Sequence, residues 1–326
     1  MRFWWVNQNQ TYDQEVAGGY IWSPKRKADG GRNPFYEFMR EVSPGDLILS
    51  FSDAHICAVG VALSFCYECP KPAEFGKAGA YWAQVGWKVD VSYRELTHKI
   101  RPSDHIAEIR AALPEKYSPL QSGGHGNQGV YLTVLSPELM SVLATLIGKE
   151  VTLLMTGHHV ADSLEELQRG QSLGLVEWEE HLQQELRTDT KLKETEKEAI
   201  VLARRGQGKF KENVSRIERR CRITLVDRPE HLRASHIKPW RDSSNDERLD
   251  GENGLLLTPS IDHLFDRGFI SFEDDGKLLL SPVAYKPALQ RMGVLTDQLV
   301  NVGKFTDGQK CQLDFHRNFV FLESRR

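Results

Sequence analysis

The stretch ASHIKPWRDSSNDERLDGENGLLLTPSIDHLFDRG, residues 234–268, decides how the C-terminal half is read. It puts His236 at the end of a short apolar run and follows it with a polar loop. The chain then returns through Asn253 into GLLLT and enters a helical pattern, PSIDHLF, that contains Asp262 and His263. A lone histidine is most often structural, so His236 gains meaning only from what the spacing brings beside it. Phosphodiester hydrolysis needs a base for water, a cation for the charge on phosphate and leaving oxygen, and a frame for both. A hairpin carrying the base, followed by a helix returning a ligand, supplies them. His236 would be the base, Asn253 a hydrogen-bonding group across the loop, and Asp262 with His263 the ligands, nine and ten positions beyond Asn253.

The bulk properties leave room for that reading. A chain of 326 residues can hold two cores. With 40% hydrophobic and 27% charged residues it is neither globally disordered nor fibrous. No apolar run approaches membrane-spanning length, and MRFWWVNQNQ lacks the apolar region of a signal peptide, so a cytoplasmic location is expected. The five cysteines are odd in number and scattered, and the Cys66–Cys69 CxxC has no second pair at zinc spacing. Reduced thiols are expected, with no structural zinc. The net charge of −3 hides a local asymmetry. Residues 200–241 hold twelve Lys/Arg against four acids, which suits either a solvated helix face or a phosphate-contacting surface.

Strand signals crowd the first 150 residues. Residues 3–6, GGYIW, GDLILSF and ICAVGVALSF read as strands between Gly, Pro and Asp turns, and YWAQVGWKVDVSYREL reads as a strand pair. SPELMSVLATLIG reads as a helix with Ser136 as N-cap, Pro137 at the first position and Gly148 as its stop. Residues 161–197 are polar and helical in pattern, with apolar positions too sparse for a core. Beyond the Gly206–Gln207–Gly208 break a second helix runs to about Arg220, and strand signals return in CRITLV, ASHI, GLLLT, FISF and LLLSP.

With those elements placed, CRIT…ASHIKPW…ERLDGENGLLLTPSIDHLFDRGFISF, residues 221–272, resembles the HNH or ββα-metal nuclease motif in the version common in bacterial restriction-type endonucleases. ARRGQGKFKENVSRIERR resembles the helical lead-in of that version. The resemblance implies His236 as general base, Asn253 as the middle asparagine and Asp262 at the third position, where the family usually has a metal-binding histidine. His263 is the neighbouring candidate ligand. Many family members keep an aspartate directly before the first histidine; here that residue is Ser235. Asp266 and Arg267, within FDRG, read either as a local ion pair locking the helix end or as groups that support the metal site or contact phosphate. The implied cofactor is one divalent ion per site, Mg²⁺ or Mn²⁺, with Ni²⁺ or Co²⁺ as alternatives. Arg216, Arg219 and Arg220 would grip the DNA backbone.

The N-terminal pattern WWVNQNQTYDQEVAGGYIWSPK…NPFYEF…VSPGDLILSFSDAHICAVGVA resembles the EVE domain and, more distantly, the YTH domain, both of the PUA-like superfamily. The resemblance implies a small β-barrel-like fold that reads modified bases in an aromatic cage. Trp22 ends a strand and runs into the basic loop SPKRKADGGRNP, so it is expected to be an exposed cage wall, with Ser23 contacting the base. Trp82 and Phe51 are candidates for a second wall, Asn33 for the lining, and Lys25, Arg26 and Arg32 for the DNA backbone.

The expected architecture is α+β. It has an EVE-like β-barrel domain over residues 1–155, a helical linker over 156–195 and a ββα-metal nuclease domain over 196–326. This combination resembles modification-dependent, type IV-like restriction endonucleases of bacteria. It implies a double-stranded DNA partner bearing 5-methylcytosine or 5-hydroxymethylcytosine, base flipping, a homodimer and no membrane partner. Two other readings stay open: a non-catalytic modified-base binder, or an HNH nuclease whose first domain reads RNA or unmodified DNA.

Overall fold

Trp4 and Trp5 are adjacent in sequence and point to opposite faces of one strand, β1 (Phe3–Asn7). Trp4 packs with Ile48, Met39 and Val89, whereas Trp5 packs with Leu47, Leu49, Leu139 and Leu143. Both indoles are fully buried, so this strand is covered on both sides. The computed structural model describes residues 1–155, 173–188, 194–204 and 206–323. The chain divides into two compact units between His181 and Leu182.

The first unit is built on one mixed sheet. Around β1 lie α1 (Tyr12–Gly18), β2 (Tyr20–Pro24), β3 (Leu47–Ser52), β4 (His55–Ala62), β5 (Tyr67–Pro70), β6 (Val85–Ile100) and β7 (Leu132–Leu135). The strand order is β2-β6-β4-β3-β1-β7, with β5 also on β6. The path runs from β2 to β7 as a curled sheet, in keeping with the β-rich first domain expected. The expected strand pair around Trp87 is one 16-residue strand, β6. Its first half pairs with β2 and β5, its second half with β4. A short helix, α2 (Pro34–Glu37), lies between β2 and β3. A longer one, α3 (Pro137–Ile147), follows β7. The Ser136 hydroxyl accepts from Leu139 N at 3.1 Å, as its sequence predicts.

The expected linker lies partly outside the described residues; within them, α4 (Leu173–Thr188) and α5 (Glu194–Arg204) are helical. The second unit continues with α6 (Gly208–Ile217), the hairpin β8 (Arg233–His236) and β9 (Gly254–Leu257), and α7 (Pro259–Asp266). It ends with the hairpin β10 (Ile270–Phe272) and β11 (Leu278–Leu280), and α8 (Asp307–Phe319). CRITLV is a turn and not a strand: Leu225 has φ of 62°, and Cys221 N bonds Val226 O at 2.8 Å. One apolar core, including Phe210, Val214, Ile237, Leu255, Ile261, Phe265 and Leu313, joins α6, the first hairpin, α7 and α8. No described helix is long and apolar enough to cross a membrane.

Candidate functional site

His236 ends β8 opposite Gly254 on β9. A Cβ at Gly254 would stand 2.3 Å from Val214 and 3.0 Å from Phe210, so glycine lets α6 press against the hairpin. Phe210 then stacks on the His236 ring, centroids 3.8 Å apart and 3° from parallel. The ring is fixed at its other side by the Arg248 carbonyl, 3.1 Å from Nε2. A carbonyl only accepts, so Nε2 carries the proton and Nδ1 keeps the lone pair. Burial pushes the His236 pKa down to about 4; the Arg248 carbonyl contact opposes this and the Arg248 charge adds to it. His236 is therefore a neutral imidazole at neutral pH.

The loop that holds His236 is itself held. The Arg248 guanidinium lies 3.9 Å over the Trp240 ring and donates to Trp240 O at 3.0 Å and Asn245 Oδ1 at 2.9 Å. Asn253 is 0% exposed and ties the loop ends together. Its Oδ1 accepts from Lys238 N at 2.8 Å, and its Nδ2 faces Lys238 O, Ser243 Oγ and Glu247 O at 3.1–3.3 Å. Asn253 is thus the clamp of the loop that carries the Arg248 carbonyl.

On the other side of β8, Arg233 and Ser235 alternate with His236 and meet α7. Arg233 Nη1 is 3.3 Å from Asp262, and the buried Ser235 hydroxyl is 3.3 Å from Asp266. Asp262 and Asp266 stand four residues apart, hence on one helix face. Although part of Asp266 reaches solvent, protein crowds its carboxyl. That desolvation first, and the Asp262 charge second, raise its pKa to about 7. Asp266 therefore sits beside Ser235 and within range of the Asp262, Arg267 and Arg241 charges. His263, one residue beyond Asp262, is rotated by about 100° around the helix and does not share that face. No hydrogen bond joins His236 to Asp262 or Asp266.

The donor chemistry here suits a hard divalent ion. Two carboxylates share a face, the Asp262 charge disfavours that of Asp266, and a guanidinium already sits against Asp262. Among the described residues, no three His, Cys, Asp or Glu side chains gather as a metal-holding group. Arg216, Arg219 and Arg220 are exposed around the end of α6.

In the first unit a cavity of about 450 Å³ is lined by Trp22, Tyr36, Trp82, Asn127 and Tyr131 among others. Trp22 is 0% exposed, which corrects the expectation of an exposed shelf. Its strand alternation turns the indole into a cluster with Phe75 and Trp82, where Nε1 donates to Cys69 O at 3.3 Å. Trp22 and Trp82 centroids are 6.0 Å apart, too close to admit a base between them. Trp82, Tyr36 and Tyr131 are half-buried and line the cavity. Phe51 is a core residue packed 4.9 Å from Trp5 and does not line the cavity. Asn33 caps α2, accepting from Phe35 N at 3.1 Å, and so places Tyr36 indirectly. Ser23 is buried, does not line the cavity, and its hydroxyl has no hydrogen-bond partner. Lys25 pairs with Glu68 and lies 4.7 Å over Trp87; Arg26 and Arg32 are half-buried. The lining residues Asn7, Asn9, Gln10 and Thr11 come from the polar run behind β1, a signal that was present but unread.

Residues 221–273 match the model of an HNH endonuclease family, which supports a nuclease function for the C-terminal region. No curated protein matches the chain. Among solved structures, a Pseudomonas putida protein is 15% identical, covers 45% of this chain and 99% of its own, with a TM-score of 0.32. A hypothetical protein from Leishmania major is 10% identical over 45% of this chain and 94% of its own, TM-score 0.34. A Rhodopseudomonas palustris protein solved by NMR is 20% identical over 44% of this chain and 92% of its own, TM-score 0.29.

Proposed function

We propose that this protein is a modification-dependent DNA endonuclease. Its first unit takes a flipped 5-methylcytosine or 5-hydroxymethylcytosine into the cavity, and its second unit hydrolyses a nearby phosphodiester bond. The observation that carries the reading is the Arg248 carbonyl 3.1 Å from His236 Nε2: a carbonyl accepts, which leaves the Nδ1 lone pair for a proton. In this reading Nδ1 takes a proton from water as the water oxygen attacks phosphorus. The P–O3′ bond breaks, and the products are a 3′-hydroxyl and a 5′-phosphate. Asp262 and Asp266 would hold one divalent ion, with Ser235 and His263 outside the main donor pair; when bound, it would offset charge on the phosphate and the leaving oxygen. Arg216, Arg219 and Arg220 supply phosphate contacts. One site cuts one strand, so duplex cleavage calls for a homodimer.

The cavity favours a base because its lining side chains are uncharged and combine aromatic faces with carboxamides. The test is digestion of methylated and unmodified plasmid with Mg²⁺ or Mn²⁺, beside His236→Ala. Preferential cutting of the methylated plasmid, abolished by His236→Ala, is expected. Equal cutting of both plasmids defeats the modification reading, and no cutting by the wild type leaves a binding protein.

A further inference from the structure

Beneath the cavity lies a carboxyl group that the proposed reaction does not use. Glu15, on α1, is 0% exposed. Its carboxylate accepts from the Tyr131 hydroxyl at 3.0 Å and from Trp22 N at 3.4 Å, and it bonds the Gln8 carboxamide. The Tyr131 hydroxyl in turn accepts from Trp22 N at 2.8 Å. Tyr131 and Trp22 both line the cavity, and Glu15 does not. Gln8 extends the chain of bonds to Ser50 and reaches the Tyr93 hydroxyl at 3.4 Å. Trp22 on β2 and Tyr131 just before β7, far apart in sequence, are thus bonded to each other directly and both to one buried acid.

We propose that Glu15 is the positioning residue of the base pocket: it fixes Trp22 and Tyr131 against each other, and the pocket takes an uncharged base only while this clamp is in place. The proposal rests on reading the cavity as a base pocket. The ionisable groups facing Glu15 are the phenols Tyr93 and Tyr131, with Tyr20 beyond. All three have pKa values pushed above the phenol range, by burial first, so none titrates between pH 6 and 9. No lysine or arginine is ion-paired to Glu15 among the described residues. Burial raises the Glu15 pKa to about 8, against the pull of the Gln8, Tyr131, Trp22 and Thr11 bonds. The acid is therefore neutral at pH 7, and charges beneath the pocket floor as pH rises toward 9. Ionisation strengthens the bonds that Gln8, Tyr131 and Trp22 donate to this carboxyl, and so shifts Trp22 and Tyr131 from the positions the neutral clamp gives them.

The test has two arms on the full chain. In the first, 5-fluorotryptophan is incorporated and the Trp22 ¹⁹F resonance is followed from pH 6 to 9. The wild type is expected to show a transition that Glu15→Gln, similar in size but unable to ionise, lacks. In the second, fluorescence anisotropy in EDTA compares duplexes with and without one 5-methylcytosine. Wild-type preference for the modified duplex is expected to fall by about tenfold per pH unit above the transition. Glu15→Gln is expected to hold its pH 7 preference, while Glu15→Ala loses it. Should Glu15→Ala not fold, Glu15→Gln carries the comparison alone. Parallel resonance shifts in wild type and Glu15→Gln, or parallel loss of preference, overturns the proposal. If the Trp22 resonance behaves as expected but the wild type shows no preference at any pH, the base-reading assignment fails and the positioning role stands.

Discussion

Replacing Asn253 with alanine is the sharpest probe of the nuclease unit, because one side chain spans the loop that orients His236. The carboxamide accepts one hydrogen bond and shares its two N–H donors among three acceptors, all inside the protein, at 0% exposure. Each buried bond contributes about 1 kcal/mol net, and the Lys238 amide left without a partner adds about 1–3 kcal/mol. Some of these groups regain water, so the expected loss is roughly 3–5 kcal/mol. A domain's whole stability is about 5–15 kcal/mol, so the unit should remain folded but weakened. Asn253→Asp is expected to cost at least as much. It keeps the acceptor for Lys238 N, but turns the amide donor into an oxygen facing Lys238 O, Ser243 Oγ and Glu247 O. Urea unfolding combined with hydrogen exchange over residues 236–257 reads both the magnitude and the place. Cleavage should fall even where the variant is folded, because Arg248 O no longer fixes the His236 ring. A loss under about 1 kcal/mol with unchanged exchange in the loop refutes the clamp, since it would mean these bonds reform with water at no cost.

Three further expectations follow from the same geometry. His236, with its pKa lowered to about 4, binds fewer protons when folded than unfolded between pH 4 and 6.5. Its contribution to stability is full above 6.5 and lost as pH falls through 4, and its protonation should limit cleavage below pH 5; a rate limb near 6.5 absent from an isosteric variant would contradict this. Gly268 has φ of 73°, and a Cβ there would lie 2.1 Å from Val320 O, so Gly268→Ala should lower stability by about 2 kcal/mol or more in a thermal melt. Trp22→Ala should cost about 3–5 kcal/mol as a buried indole is lost, whereas Trp82→Ala should cost less and abolish modified-base preference; equal melting temperatures for the two would undo this division.

Much of the nuclease unit was legible because its chemistry is local. His236, Asn253 and Asp262 lie within one hairpin and the following helix, so their spacing showed that they share one local motif, and Asn253 spans its loop. For Asp266 a helix-end ion pair and a contact near the motif were both open, because nothing in the sequence shows that α7 carries it to Ser235. His263 looked equivalent to Asp262 by adjacency, yet neighbours on a helix face different ways. CRITLV has strand composition, but Leu225 adopts a left-handed turn that its apolar character does not announce. In the first unit Trp22 seemed exposed because a basic loop follows it. Strand alternation and Gly86, where a Cβ would meet the indole at 2.4 Å, instead let it lie flat across β6. The pocket draws on residues near positions 10, 22, 36, 82 and 128, and a cavity assembled from five separate segments has no linear signature.

Strand β6 ties two parts of this unit together. Its first half, opposite β2 and β5, borders the cluster of Trp22 and Trp82 and buries Val89 in the core, while its second half, opposite β4, turns Arg94, Glu95, Thr97, His98 and Lys99 to solvent. One continuous element therefore carries two tolerances along its length: a change at Val89 is felt by the sheet and the aromatic cluster alike, whereas the solvent-facing positions beyond Tyr93 can be exchanged with the fold inherited unchanged.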